Sequence, residues 1–266
     1  MGAARTAMNI IDRIWQVPIN FVTQLGDMLL MLLQAFLWGI RPPYRLGLVI
    51  QQMEYIGVGS LSIICLVAVF TGGVFGLQSV EAFRIFQAEG FVGMTVSLTL
   101  TREISPVLSA LMVTGRSGSS MATELGSMRI TEQIDAMSTM AVNPIQYLVV
   151  PRLIATTIMM PLLTMFYNVV GMGGAYLFAV VLKGVDEGQF IHNIRWYTDV
   201  EDLFSGLIKA VIFGLALSLI SCHQGFNASG GAKGVGMATM KSVVTSSVAV
   251  LILDFIATDV LITLGF

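Results

Sequence analysis

Charged residues are scarce in this sequence. Lys, Arg, Asp and Glu together make up 11% of the 266 residues, against about a quarter in soluble domains. Hydrophobic residues make up 55%. This composition indicates an integral membrane protein and excludes a soluble domain with a large core. The formal net charge is −2, which offers no basic surface for nucleic acid and excludes that class of partner.

Cysteine and histidine are also rare. Cys65 and Cys222 both lie in apolar runs, which predicts free buried thiols and no disulfide framework. His192 and His223 fall on opposite sides of the predicted membrane, so we expect neither a metal site nor a catalytic triad. No glycine-rich segment has the spacing of a phosphate-binding loop. The sequence therefore predicts a non-catalytic chain with no metal and no cofactor of its own.

Long apolar runs are what the sequence has in abundance. The segment over 8–40 has apolar residues near helical spacing, but only 13 uncharged residues, Met28 to Ile40, follow Asp27. That run is shorter than the roughly 20 residues that cross a bilayer, so we expect a helix lying in the membrane interface. The predicted fold is an all-α integral membrane protein of one domain, residues 1–266, with this amphipathic helix and five transmembrane helices, over 55–80, 91–114, 153–182, 203–222 and 242–266.

The distribution of basic residues predicts the orientation in the membrane. Five crossings place the two termini on opposite sides. With a cytoplasmic N-terminus the outer segments hold three basic residues, Arg84, Lys183 and Arg195. The inner segments then hold nine, Arg5, Arg13, Arg41, Arg45, Arg116, Arg129, Arg152, Lys233 and Lys241. Because basic residues accumulate on the cytoplasmic side, this arrangement is favoured, and the segment 116–150 is predicted to be cytoplasmic.

Ionisable residues lie inside predicted crossings, among them Arg102, Glu103, Lys209 and Asp254. Each costs about 2.5–3.5 kcal/mol at the centre of a membrane helix, so such residues usually face protein or a water-filled cavity. Neighbouring helical residues point about 100° apart, so Arg102 and Glu103 are not expected to pair with each other. Lys209 is a candidate partner for Glu103. Two interpretations stay open, a salt bridge that holds the helices together and a polar lining beside a substrate path.

The cytoplasmic segment 116–150 combines an apolar side with charge. Its apolar residues recur at helical spacing, at Met121, Leu125, Met128, Ile130, Ile134 and Met137, and its charged residues are Glu124, Arg129, Glu132 and Asp135. One interpretation is a solvated connector between crossings. The other is a short amphipathic helix over 124–137 that docks into a groove of a soluble partner.

Several segments resemble one known family. They are Gly76-Leu77-Gln78, Leu100 to Val107, Gly115 to Ser119, Glu124 to Met137 with its Thr-Glu-Gln-Ile-Asp-Ala run, and Tyr147 to Arg152 with Leu-Val-Val-Pro-Arg. They resemble the MlaE (YrbE-type) permease family, the membrane subunit of bacterial lipid ABC transporters that work with MCE proteins. The resemblance extends over nearly the whole chain.

The resemblance implies a function and partners. The implied function is movement of phospholipids between the bacterial inner membrane and a periplasmic MCE-protein conduit. The implied assembly is a homodimer with a cytoplasmic ABC ATPase, which binds the ATP and Mg²⁺, an MCE protein, and a small cytoplasmic regulator as a further candidate. The implied substrate-path residues are Arg102, Glu103, Lys209 and Lys241. The implied ATPase-coupling residues are Glu124, Met128, Arg129, Glu132, Asp135 and Met137.

Two other functions are compatible with the residues alone. An ion- or proton-coupled secondary transporter could use Glu103, Lys209 and Asp254 as a relay, although no inverted repeat is visible. A structural membrane anchor would need these charges only for assembly. The secondary transporter predicts transport that follows an ion gradient without any ATPase. The structural anchor predicts that Lys209→Ala and Glu103→Ala leave lipid traffic untouched while assembly is retained.

Overall fold

The computed structural model describes the backbone of residues 2–264 and the side chains of Ile19 and residues 22–264. This part of the chain is helical, without a strand. Its main helices are α1 (Gly2–Gly39), α2 (Leu46–Arg84), α3 (Glu89–Ile130), α4 (Gln133–Thr139), α5 (Ile145–Leu182), α6 (Glu187–Tyr197), α7 (Val200–Phe226) and α8 (Gly231–Leu264). The predicted all-α integral membrane architecture is confirmed. The side chains before residue 19, and the end of the last predicted crossing at 265–266, lie outside the described residues.

Six of these helices are long and apolar enough to cross a membrane. Five contain the predicted crossings, and the sixth is the Val22–Gly39 part of α1, the segment expected in the interface. In that part Met28 and Ala35 are buried. They pack with Leu148 and Val149 of α5 and Leu219 of α7, at one end of the helix bundle. The interfacial position of α1 stays a prediction.

The helices are longer than the apolar runs from which the crossings were predicted. The predicted crossing over 91–114 is part of α3, which continues without interruption to Ile130. Where α3 leaves the apolar run, a side-chain hydroxyl also bonds to a backbone carbonyl: Ser119 Oγ donates to the Gly115 carbonyl at 2.6 Å. The length of the apolar run therefore indicates the membrane segment, but it does not indicate where the helix ends.

The centre of the bundle depends on glycine contacts between α2 and α5. A Cβ on Gly72 would lie 2.0 Å from the Gly171 carbonyl oxygen, and one on Gly174 would lie 2.4 Å from that of Val69. Such backbone approach is how membrane helices pack without a hydrophobic driving force between them. These contacts fix α2 and α5 as a pair, and α3 and α7 pack beside them.

The last helix, α8, leaves one side uncovered by the rest of the chain. Most of the exposed residues in its membrane part are apolar, including Val244, Val248, Leu251, Phe255 and Ile262. Its buried residues are mostly small, among them Ser242 and Ser246. An apolar outer surface of this kind matches a helix that faces lipid or another membrane subunit.

Candidate functional site

A buried ammonium group lies where three membrane helices meet. Lys209 of α7 is 1% exposed. Its Nζ donates to Glu103 Oε2 of α3 at 2.7 Å and to Thr258 Oγ1 of α8 at 2.7 Å. Asp254 Oδ1 of α8 lies 3.2 Å from the same nitrogen. We call these four residues the ionic cluster. The expected pairing of Lys209 with Glu103 is confirmed.

Within the ionic cluster the lysine side chain is buried, whereas the Glu103 side chain is accessible. The side chain of Lys209 is 2% exposed, whereas that of Glu103 is 40% exposed. Two carboxylates compensate the charge of the ammonium group, and Glu103 and Thr258 accept two of its three N–H donors. Burying an ion pair without such neighbours costs several kcal/mol per ion. The open side of Glu103 gives the cluster a polar surface that a substrate could approach.

A wide helical turn places Glu103 at this position. Residues Leu100–Ile104 form a π-turn inside α3, directly before Pro106. Proline has no backbone N–H, and its ring collides with the carbonyl four residues earlier, so it kinks or breaks an α-helix. The π-turn accommodates the proline. Single π-turns inside long helices are frequent at functional sites.

Arg102 points away from the ionic cluster. Its guanidinium forms an ion pair with Asp202 in the first turn of α7. Asp202 is 3% exposed, and its Oδ2 also accepts the backbone N–H of Asp199 at 2.8 Å, as part of a capping box. Arg102 thus anchors the start of α7 to α3. The expectation that Arg102 and Glu103 would not pair with each other is confirmed.

The fourth predicted substrate-path residue, Lys241, lies far from the others. It is exposed on α8, 13 residues before Asp254, which is about 20 Å at 1.5 Å per residue. It lines a separate cavity with Lys233 and Asn227. The structure therefore brings Glu103 and Lys209 together, places Arg102 beside them, and separates Lys241.

The predicted ATPase-coupling helix over 124–137 is wrong in its geometry. Two helices cover this range: α3 ends at Ile130 and α4 begins at Gln133. Between them, Thr131 Oγ1 donates to the Ser127 carbonyl at 2.8 Å. The next residue, Glu132, has a φ of 60°. A non-glycine residue in this left-handed region ends a right-handed helix.

The apolar stripe predicted for partner docking is also partly wrong. Met121 and Leu125 are buried inside the bundle, at 2% and 0% exposure, because α3 still packs against its neighbours there. Met128 and Met137 are half-buried against the cluster around Leu125. What remains accessible is α4 with its flanks, including Glu132, Asp135 and Met140.

Two ion pairs connect this region to the membrane helices. Arg152 Nη2 of α5 lies 2.7 Å from Glu124 Oε2 of α3, with the arginine 4% exposed. Arg129 Nη1 at the end of α3 lies 2.5 Å from Asp135 Oδ1 of α4. The coupling candidates Glu124, Arg129 and Asp135 thus link α3, α4 and α5 to one another.

The sequence did not lead us to Asp202 or Thr258 as members of these networks, nor to the pairing of Arg152. Thr258 follows Asp254 by four residues, a spacing that places both on one helix face. Asp202 lies three residues after Asp199, the spacing of a capping pair. These two signals are visible in the sequence. The pairing of Arg152 with Glu124 spans 28 residues and has no local signal.

The apolar helices define a multi-pass membrane protein. The ionic cluster places paired charges between its crossings, an arrangement typical of a membrane transport subunit. Comparison with known proteins gives its family. Residues 49–260 match the family model described as Permease MlaE. The chain belongs to the MlaE permease family and is the non-catalytic membrane component of an ABC transporter.

Two bacterial relatives match over nearly the full length, and a plant relative matches over a shorter part. A Rickettsia felis protein named probable ABC transporter permease protein is 40% identical over 252 residues, covering 95% of this chain and 97% of that protein. The Haemophilus influenzae intermembrane phospholipid transport system permease protein MlaE is 36% identical over 262 residues, covering 97% and 99%. The Arabidopsis thaliana chloroplastic protein TRIGALACTOSYLDIACYLGLYCEROL 1 is 36% identical over 207 residues, covering 78% of this chain and 59% of that protein.

Proposed function

We propose that this chain is the permease subunit that moves phospholipids between the bacterial inner membrane and a periplasmic MCE-protein conduit. The observation that carries the proposal is the ionic cluster, an open-sided set of charges among three crossings, in a member of the MlaE permease family. The name of the Haemophilus influenzae relative supports phospholipid as the substrate class. The zwitterionic or anionic head group would pass the polar side of Glu103 while its acyl chains stay in apolar surroundings.

A separate ABC ATPase supplies the energy in this proposal, binding the ATP and Mg²⁺. It docks on α4 and its exposed flanks, Glu132, Asp135 and Met140. Movement of α4 reaches the end of α3 through the Arg129–Asp135 pair and reaches α5 through the Glu124–Arg152 pair. The helix α3 is continuous between Glu124 and Glu103, about 30 Å at 1.5 Å per residue. One rigid element therefore connects the ATPase side with the ionic cluster.

The orientation and the remaining partners complete the proposal. The N-terminus and α4 face the cytoplasm, and the C-terminus and α6 face the periplasm, in agreement with the excess of basic residues on the α4 side. The amphipathic α6 exposes Trp196 on the face proposed for the MCE protein. Two copies of the chain form a homodimer that completes a central lipid pathway, and a small regulator joins the ATPase.

Affinity purification of the tagged chain from its native membrane tests the proposal. We expect an ABC ATPase, an MCE-domain protein and phospholipid to co-purify in a fixed ratio, with two copies of this chain per complex. Recovery of a stable chain without an ATPase, in a detergent that keeps other ABC transporters intact, would contradict the proposed function.

A further inference from the structure

Two cavities lie one after the other between α7 and α8. The first, of about 400 Å³, is lined by polar and basic residues that include Asn227, Ser229, Lys233 and Lys241. The second, of about 550 Å³, is almost entirely apolar and is lined by residues that include Leu219, Ile220, Val248 and Ile252. Both volumes lie in the range of about 300–1,000 Å³ that is typical of ligand sites.

The polar cavity is suited to an anion. Lys233 and Lys241 are both exposed, and neither forms an ion pair within the described part of the chain. Lys233 also lies in the first turn of α8, which contains no acidic residue. The unpaired backbone N–H groups of a helix start carry partial positive charge. Two ammonium groups and this helix start therefore converge on one cavity.

The apolar cavity is suited to a hydrocarbon chain. Two helices, α7 and α8, form its sides, and α1 closes it with Leu25, Met28 and Leu29. Gln24 and Thr245 are the only polar residues among those that line it. The cavity extends along α8 from Val244 to Leu253, so its inner end reaches the depth of Asp254 and the ionic cluster.

One face of each helix lines both cavities. On α8, Lys241 is followed at helical spacing by Thr245, Val248 and Ile252, so the lysine lies directly before the apolar wall. On α7, Ala216 and Ile220 line the apolar cavity and Gln224 and Asn227 line the polar one. The two cavities therefore lie in line along α7 and α8, with the basic one at the end where α8 begins and the apolar one towards the membrane centre. We call the two together the groove.

A buried histidine lies next to the polar cavity. His223 lies on α7 between Ile220 and Asn227 and is 4% exposed. Its Nε2 is 3.0 Å from Asn227 Nδ2, while its Nδ1 has no hydrogen-bond partner among the described residues. On the α1 side, Asp27 is the acidic residue near this histidine. A polar side chain with an unsatisfied nitrogen thus lies beside Asn227, which lines the polar cavity.

We propose that this groove binds an anionic glycerophospholipid of the cytoplasmic leaflet, with its phosphate between Lys233 and Lys241 and one acyl chain in the apolar cavity. The charge arrangement supports this occupant, because basic pockets between membrane helices on the cytoplasmic side recognise anionic lipid head groups. The groove is separate from the ionic cluster and gives Lys241 a role that its distance from Lys209 otherwise leaves open. The choice of leaflet rests on the orientation proposed above, whereas binding itself does not require transport.

Photo-crosslinking in nanodiscs tests this site on the full transporter complex without ATP. The probe is a phosphatidylglycerol with a photoreactive acyl chain, present as a minor component of phosphatidylcholine. We expect labelling of peptides from α1, α7 and α8. In the double variant Lys233→Gln, Lys241→Gln, and in Ala216→Trp, which fills the apolar cavity, labelling of these peptides should fall at least fivefold. The matched controls Lys183→Gln and Val181→Trp, both outside the groove, should keep it.

Three outcomes would overturn the proposal. Equal labelling in the groove variants and the controls would show that the lipid does not occupy the groove. Loss in the lysine variant alone, with competition by inorganic phosphate, would identify a small-anion site. A change in the number of chains per complex in Ala216→Trp would identify a second copy as the occupant. Because no ATP is present, a failure of the transport proposal would leave the expected labelling unchanged.

Discussion

Lys209 is the residue on which three membrane helices converge. Its ammonium group contacts Glu103 from α3 and both Thr258 and Asp254 from α8. Removing one partner of a buried ion pair is more damaging than replacing the whole pair, because the remaining charge stays buried without compensation. The lysine is the partner shared by all contacts, so it is the residue whose loss affects the cluster most.

The change Lys209→Met should destabilise the helix bundle, because it leaves Glu103 and Asp254 without their cation. Breaking a buried pair costs about 3–5 kcal/mol, and we expect the lower end, since the Glu103 side chain is 40% exposed. Thermal unfolding in detergent measures this change. The control Lys183→Met removes a surface lysine that pairs with Glu81 at 2.5 Å and should unfold like the wild type. Equal unfolding temperatures of both variants would contradict the assigned role.

At the scale of the element, α3 and α7 approach each other closely at a glycine near the ionic cluster. A Cβ on Gly206 of α7 would lie 2.1 Å from the Thr101 carbonyl oxygen of α3. Gly206 precedes Lys209 by three residues, so it lies one helical turn from the ionic cluster. The close approach of these backbones is what allows Lys209 to reach Glu103.

The change Gly206→Ala should therefore separate α3 from α7 and weaken the ionic cluster. Overpacking of this kind costs about 1–3 kcal/mol. Thermal unfolding again gives the stability, and ATP hydrolysis stimulated by lipid in the reconstituted complex gives the functional effect. The matched control is Gly173→Ala, where an added Cβ meets nothing within 4 Å. A Gly206→Ala variant as stable and active as that control would show that the close approach has no role.

The short helix α4 is the element proposed to bind the ATPase. Reversing two exposed charges, in the double variant Glu132→Lys, Asp135→Lys, should reduce the amount of co-purified ATPase at least tenfold. Membrane insertion should remain normal, because the Arg129–Asp135 pair is exposed at both partners and such pairs contribute little to folding. The double variant Glu187→Lys, Glu201→Lys makes the same charge change on the other side of the membrane and should retain the ATPase. Normal recovery of the ATPase with the α4 variant would contradict the docking assignment.

The sequence predicts these elements unequally. The crossings were predictable because long apolar runs have few alternatives in a bilayer, and the pairing of Lys209 with Glu103 followed from the cost of an isolated charge there. The end of α3 was not predictable. Charged residues and apolar residues at helical spacing continue from Ile130 to Met137, although the backbone turns at Glu132. The burial of Met121 and Leu125 was missed for the same reason, since an amphipathic pattern does not say which surface covers it.

At the scale of the whole molecule, two sites of charge are connected by one long helix. The exposed α4 follows the end of α3 at Ile130, and the ionic cluster lies about 40 Å from that end along α3. The Glu124–Arg152 pair at 2.7 Å joins this helix to α5, so we expect a displacement of the end of α3 to reach α5 as well. This construction suits a membrane subunit that receives mechanical energy from a partner and uses it at an internal polar surface.

ATP-dependent transfer of phospholipid is the measurement that tests this account most directly. The chain is reconstituted into liposomes with its ATPase and its MCE protein, and movement of labelled phospholipid between the membrane and the MCE protein is followed. We predict transfer that requires ATP, falls at least tenfold with Lys209→Met, and persists with Lys183→Met. Transfer that proceeds equally without ATP, or that is unchanged by Lys209→Met in a correctly assembled complex, would contradict the account.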